Sequence, residues 1–280
     1  MKTHTSLPQN ITDDLRSGRV LAGDDLRGDA LERWYAEEKE AYFQEGADSG
    51  ETDPWYAYQR YVNDQLVFRH VANRRPGTIL FLGAADGIEA AGFHRRHPEW
   101  HLAFIESSDS FRAALNKRFP GAEVRAPGLD GRMPFADGSV DVVCAFSVLH
   151  HIANVTDVMR ETARTLKPGG EFFVREPCSS MGDWRGPRSA TPNERGISND
   201  WMLATARAVG LRLSARPVPV VFDPLNKMLV RTIGFRFVPM PVLYFVDRAI
   251  SSMLAANDHY WRDTPLKKLG PSSYLFTFQK

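Results

Sequence analysis

The stretch MPFADGSVDVVCAFSVLHHIANVTDVMRETARTLKPGGEFFVRE, Met133 to Glu176, decides how the rest of the chain is read. Its run from Ser139 to Ser147 is almost wholly apolar, the pattern of a strand covered on both faces. Val155, Val158, Met159, Thr162, Ala163 and Leu166 then recur at helical spacing. Pro168, Gly169 and Gly170 stop that helix, and EFFVRE, Glu171 to Glu176, is the next strand. A strand, a helix and a strand in this order predict a parallel pair joined by a crossover.

The same alternation extends upstream. TILFL, Thr78 to Leu82, is a strand, followed by the small-residue turn Gly83-Ala84-Ala85-Asp86-Gly87 and a helix. HLAFIE, His101 to Glu106, is the second strand, followed by a helix with Phe111, Ala114 and Leu115, and AEVRA is a short third. Downstream, SNDWMLATARAVGL reads as a helix with Ser198 as its N-cap and Gly210 at its end. RLSARPVPVVF is a sixth strand, and SSYLFTFQK alternates Tyr274, Phe276 and Phe278 as a last strand with one buried face. The fold class is therefore α/β, with a doubly wound, mostly parallel sheet. Ligands in such sheets bind beyond the carboxyl ends of the strands.

Residues 1–28 are polar and rich in Gly and Asp, and are expected to be loosely ordered or peripheral. Two aromatic helices follow. One carries Leu31, Trp34, Tyr35 and Tyr42 near one face; the other, starting at Asp53-Pro54 and stopping at Gly77, carries Trp55, Tyr58, Val62, Leu66 and Arg69. They read as a cap on the core, with or without a part in closing over a ligand. The expected organisation is a helical cap over 1–76, a core over 77–222, a helical insert over 223–271 and the last strand over 272–280. The insert helix places Val242, Phe245, Val246, Ala249, Ile250, Met253 and Leu254 on one stripe, which is expected to pack as core against the N-terminal helices. FVPMPVLYFV, Phe237 to Val246, is too short to span a bilayer, and the segment 235–256 suits a peripheral membrane contact or a homodimer surface.

The 280 residues are 43% hydrophobic and 25% charged with a net charge of +1, an ordinary globular balance that argues against nucleic acid as the main partner. The two cysteines, Cys144 and Cys178, form no disulfide framework and no zinc motif; Cys144 reads as an inert core thiol. With no signal-peptide pattern and no long apolar run, a cytoplasmic location is expected.

The turn at Gly83–Gly87 and Glu106, 23 residues after Gly83, stand where a dinucleotide fold holds phosphate and ribose. The turn fails the dinucleotide pattern twice, at Ala85 and Ile88. The central glycine of that pattern clears space for a pyrophosphate. A cofactor without phosphate needs no such space, which tilts the reading away from a nicotinamide-dependent oxidoreductase.

The segment from Met133 to Glu176 resembles the class I S-adenosylmethionine-dependent methyltransferases, in particular the group with LPF-DxSFD and LxPGG segments. The resemblance runs from about residue 78 to 177, with a weaker match in NERGISNDWMLATARAVGL. It implies a seven-stranded Rossmann-like sheet and S-adenosylmethionine as cofactor. It places Gly83, Ala84, Ala85 and Gly87 on the cofactor loop, Glu106 with Ser107 at the ribose, Leu129 and Asp130 at adenine, and Phe146 with Ser147 beside the methionine moiety. Phe81 stands where the family commonly has an acid that helps to hold the methionine end. His151 matches a histidine frequent in the family; the alternative is a helix-entry histidine bonded to backbone.

Methyl transfer to a hydroxyl gains from a general base. The candidates are His151, Glu176 and, in the insert, His259, with His150 beside them. No carboxylate cluster has metal-ligand spacing, so no metal is expected. Arg185, Arg188 and Arg195 with Trp184 are candidates for an anion-binding lid, or else a solvated loop. The aromatic N-terminal helices and the long insert resemble methyltransferases encoded with bacterial polysaccharide-assembly enzymes, which implies a small-molecule or saccharide hydroxyl as acceptor. Nitrogen and carbon acceptors, and a non-catalytic cofactor-binding scaffold, stay open as alternatives.

Overall fold

The computed structural model describes residues 6–44, 54–186, 191–220 and 241–280. One mixed sheet organises the chain. β1 (Thr78–Leu82), β2 (His101–Ile105), β3 (Glu123–Arg125), β4 (Val140–Phe146) and β5 (Leu166–Pro177) run parallel in the order β3-β2-β1-β4-β5. β8 (Ser273–Gln279) lies antiparallel on β5. β6 (Arg212–Leu213) and β7 (Val218–Val220) both pair with β8. The strand expected over 212–222 is thus split in two, giving eight strands where seven were expected. Its RPVP stretch includes two prolines, which lack the N–H a ladder needs.

Side chains alternate between the two faces of the strands. Leu80, Leu82, Val143, Ala145, Phe172 and Val174 pack against α7 (Val155–Thr165) and α8 (Asn199–Ala208). Ile79, Phe81, Phe104, Val142, Cys144 and Phe173 pack against α5 (Ile88–Arg96), α6 (Asp109–Arg118) and the helical segment before β1. Burial of each such side chain stabilises the fold by about 1.5–3 kcal/mol before conformational entropy is counted. Cys144 is buried as expected, and its surroundings push its thiol well above the usual range.

The segment before β1 is not one regular helix. α3 (Pro54–Asn63) passes into a π-helical turn over Asp64–Phe68 and then α4 (Arg69–Ala72). The wider turn shifts the buried face from Tyr58 and Val62 to Val67, Phe68 and Val71, and leaves Arg69 exposed. Leu66 still packs against Tyr58 and Val62 as the spacing predicts, but Arg69 falls off that stripe. Asp53 and the side chains of Tyr42 and Trp55 lie outside the described residues.

The N-terminal residues are better packed than their polarity suggested. α1 (Asp13–Ser17) and α2 (Gly28–Gln44) flank a stretch in which Leu21 and Ala22 are buried. Asp24 accepts the backbone N–H and the hydroxyl of Thr156 at 2.8 and 2.6 Å, satisfying donors at the start of α7.

α9 (Pro241–Leu254) overturns the expectation of an apolar core stripe. It docks through Asp247 and Ser251, which are buried; Tyr58 donates to Asp247, and Ser251 donates to the same carboxylate. The opposite face remains in solvent: Val242 is 69%, Phe245 68% and Met253 79% exposed. Hydrogen-bonded polar groups, rather than the apolar stripe, fix its orientation. Residues 223–240 of the expected insert lie outside the described residues. Among the described residues, no helix is long and apolar enough to cross a membrane.

Candidate cofactor and acceptor site

The carboxyl ends of β1, β2, β4 and β5 converge on two groups of residues. In the first, β1 enters the turn with Gly83, Ala85 and Gly87 at positive φ (58°, 46° and 79°). Gly83 is required by a close approach, because a Cβ there would stand 2.0 Å from Val148 Cγ2. Ala84 is partly buried in the same turn. Glu106, only 7% exposed, accepts the backbone N–H of Ala85 at 2.8 Å and that of Ser108 at 2.9 Å. The acid at the end of β2 is thereby fastened to the loop after β1. Ser107 is exposed, and its hydroxyl reaches Glu106 at 3.4 Å. These residues fit a ribose with an uncharged neighbour: an acid at the β2 end beside a tight loop open at Gly83.

The expected adenine segment is a tight turn. Gly131 donates to Gly128 at 3.0 Å, and Asp130 turns its carboxylate onto the Arg132 N–H at 3.1 Å. Leu129 is 53% exposed and its carbonyl accepts from Asn154. On the methionine side, Ser147 adopts φ 57° and donates to the Arg175 carbonyl at 2.7 Å. Phe146 meets Phe68 edge-on, and Phe68 also packs against Phe81. Phe81 stacks on Phe104 and is 3% exposed, so no acid stands at the end of β1 to meet an ammonium group.

The second group is the Leu149–His151 turn after β4, and it is wrapped from three sides. Glu176 of β5 is 1% exposed; Oε1 accepts the N–H groups of Val148 and Leu149 at 2.9 Å each, and Oε2 meets His150 Nδ1 at 2.6 Å. The other nitrogen of His150 lies 3.3 Å from Glu194. Burial would lower the His150 imidazole, but the charge and hydrogen bond of Glu176, backed by Glu194, outweigh it and push it up to about 9. Burial likewise acts to raise Glu194, yet His150 outweighs it and holds that carboxyl at about 2. His150 is thus an imidazolium clamped between two carboxylates.

His151 points to a different partner. Its Nδ1 lies 2.9 Å from Glu38 of α2. Glu38 is itself held by the Thr191 hydroxyl at 2.8 Å and the Asn193 N–H at 2.9 Å. Trp34 donates its indole N–H to the His151 carbonyl at 2.8 Å, and Tyr35 donates to Asn154 at 2.7 Å. Arg195, fully buried, donates to the carbonyls of Ala22, His150 and Ile152 and stacks on Trp34. It tethers backbone and does not serve an anion lid, which corrects that expectation. Arg185 pairs with Asp183 at the surface, Trp184 is buried, and Arg188 lies outside the described residues.

Among the three base candidates, Glu176 has both oxygens committed, and His259 is exposed with no hydrogen bond to the Leu149–His151 turn. His151 alone sits in a dyad with a carboxylate oriented by others. Its partners Glu38, Thr191 and Asn193 escaped the sequence reading. A local signal existed for Glu38: it is four residues after Trp34, on the buried face of an aromatic helix. Thr191 and Asn193 carried none. His150, His151 and Glu194 also place three donor atoms within 4.8 Å of one another, a cluster assembled by three-dimensional proximity rather than by sequence spacing.

Residues 80–174 match the family model described as a methyltransferase domain. A protein of Mycolicibacterium smegmatis named as a probable S-adenosylmethionine-dependent methyltransferase is 29% identical over 126 residues, covering 44% of this chain and 46% of its own. An uncharacterized methyltransferase of Mycobacterium sp. (strain KMS) is 34% identical over 165 residues, covering 56% of this chain and 61% of its own. The chain thus spans about half the length of these curated relatives. Geranyl diphosphate C-methyltransferase from Streptomyces coelicolor, solved with S-adenosyl-L-homocysteine, shares the fold at a TM-score of 0.53 and 17% identity, covering 78% of this chain and 75% of its own. The match spans β1 to β5 and includes the glycine turn and the acid after β2: residues 80–174 form a methyltransferase domain on the class I fold, with relatives named as S-adenosylmethionine-dependent.

Proposed function

We propose that the chain methylates a hydroxyl of a small-molecule acceptor, of saccharide type, with His151 as general base. The observation that carries this reading is the His151–Glu38 dyad, 2.9 Å across, at the end of β4. The bound cofactor supplies an electrophilic methyl group on a sulfonium. Glu38 accepts from Nδ1–H of His151, which directs the basic lone pair to Nε2. Nε2 then takes the acceptor's hydroxyl proton, and Glu38 stabilises the imidazolium that results. The fixed frame of Trp34, Arg195 and Glu176 holds the turn, so little reorganisation is needed as the oxygen approaches to about 3–3.5 Å. His150, already an imidazolium, takes no proton; it holds the frame.

The saccharide reading rests on the resemblance in domain layout and on the exposed apolar face of α9, which suits an acceptor met at a lipid surface. Two buried, unpaired thiols, Cys144 and Cys178, suit a cytoplasmic setting. A carbon acceptor is the second reading, favoured by the C-methyltransferase among the fold's neighbours. Incubation with methyl-labelled cofactor and a panel of free, nucleotide-linked and lipid-linked saccharides, read by mass spectrometry, tests the proposal. Label on a saccharide oxygen is the expected result. Label only on carbon of these acceptors, or on none of them, overturns it.

A further inference from the structure

Phe81 removes the acid that would face the ammonium of the cofactor's methionine tail, yet a buried polar group stands beside the end of β4 and the start of α5. Asn63, fully buried at the end of α3, accepts from Arg175 Nε at 3.0 Å and donates to Glu89 Oε2 at 3.0 Å. Gln59 accepts from a second Arg175 nitrogen at 3.0 Å. Arg175 is aligned in the sheet with Phe146, and its carbonyl accepts from Ser147, so the group adjoins the end of β4. Glu89 is in the first turn of α5, two residues after Gly87, so it also adjoins the cofactor loop. Phe68, one turn beyond Asn63, packs on both Phe81 and Phe146.

We infer that Glu89 receives the ammonium of the methionine tail, with Asn63 and Arg175 as the positioning residues that aim its carboxylate. This rests on the S-adenosylmethionine assignment above. Oε2 of Glu89 is committed to Asn63, while Oε1 has no hydrogen-bond partner among the described residues. Burial raises the Glu89 carboxyl, an effect that Arg175, Asn63 and Arg60 only partly offset and to which Asp86 adds. A partly buried carboxyl with one unused oxygen and a raised pKa gains from a cation beside it. The π-helical turn that begins at Asp64 fits this role, since such turns commonly reset a helix at a binding site and here separate Asn63 from the apolar face that follows.

The test is calorimetric and needs no acceptor. Wild type and Glu89→Gln are titrated with S-adenosylhomocysteine, with its analogue lacking the amine, and with 5′-methylthioadenosine, which lacks the whole tail. Glu89→Gln is expected to weaken S-adenosylhomocysteine by about 10- to 100-fold and to leave the other two ligands within about twofold. Asn63→Ala should reproduce the pattern more weakly, and Glu89→Asp should restore part of the loss. Equal affinity of wild type and Glu89→Gln for S-adenosylhomocysteine overturns the inference. So does an equal loss for all three ligands, which would mark damage to the loop. If Glu89→Gln fails to fold, Glu89→Asp and Asn63→Ala decide by the same comparison. A wild type that binds none of the three would instead refute the cofactor assignment on which the inference rests.

Discussion

Glu106 Oε2 accepts the backbone N–H of Ala85 at 2.8 Å, so the acid at the end of β2 and the turn after β1 form one mechanical unit. A ribose bound at Glu106 would therefore be felt in the loop that approaches the rest of the cofactor. Glu106→Ala removes the proposed ribose partner and also orphans the N–H groups of Ala85 and Ser108. Each orphaned donor costs about 1–3 kcal/mol if left unsatisfied. The expected outcome is at least a tenfold loss of S-adenosylhomocysteine affinity with a lower melting temperature. Calorimetry with unchanged affinity would reject the ribose assignment.

Ala85 occupies the left-handed region at φ 46°, where an L-residue pays a steric penalty. Ala85→Gly relieves it and is expected to raise the unfolding free energy by about 1 kcal/mol. Denaturant unfolding of the two proteins measures this. A stability equal to or below wild type would mean that the Glu106 contact already absorbs the strain.

For the dyad, His151→Ala is expected to lower kcat by about 100-fold or more while cofactor affinity changes little. Glu38→Gln should lower kcat less and shift the pH dependence of kcat, since the amide cannot stabilise the imidazolium. An active His151→Ala enzyme would exclude His151 as the base.

His150 gives a pH signature of its own. Its folded value, about 9, lies above the ordinary 6.5. The contribution to stability is therefore fully present below pH 6.5 and is lost as pH rises through 9, by about 3 kcal/mol in total. His150→Gln should flatten the melting temperature between pH 6.5 and 9. A wild-type profile already flat over that range would show that the proton is not held between Glu176 and Glu194.

The apolar face of α9 stands in water, so Phe245→Ser with Met253→Ser should change folding stability by no more than about 0.5 kcal/mol. The same double variant should bind less well to vesicles of anionic lipid in a sedimentation assay. Marked destabilisation would mean that the face is packed in solution.

The alternation of apolar runs with helical stretches made the parallel sheet legible, because residues covered on two faces must be apolar whatever surrounds them. The turn Gly83–Gly87 and the acid at 106 were legible for a local reason too: a strand-to-helix reversal and a strand-end carboxylate are specified within a few residues. Helix periodicity failed where its premise failed. It missed the π turn after Asn63, because one wider turn shifts the spacing. It put the apolar stripe of α9 in the core, because it cannot know that Tyr58 offers Asp247 a hydrogen bond.

The candidate bases show the division most clearly. Sequence order placed His150, His151 and Glu176 at the ends of β4 and β5, but not which of them was already engaged. Glu38, Glu194, Thr191 and Asn193 settle that, and Glu38 comes from a helix more than a hundred residues away from His151. Periodicity and short spacings along the chain specify the α/β sheet, the glycine turn and the strand ends, since each is fixed within a few neighbouring residues. Folding alone showed which titratable groups are clamped and which stands beside a carboxylate from a distant helix. A charge's state depends on partners and burial brought together by folding, and neither is encoded in the spacing of residues along the chain.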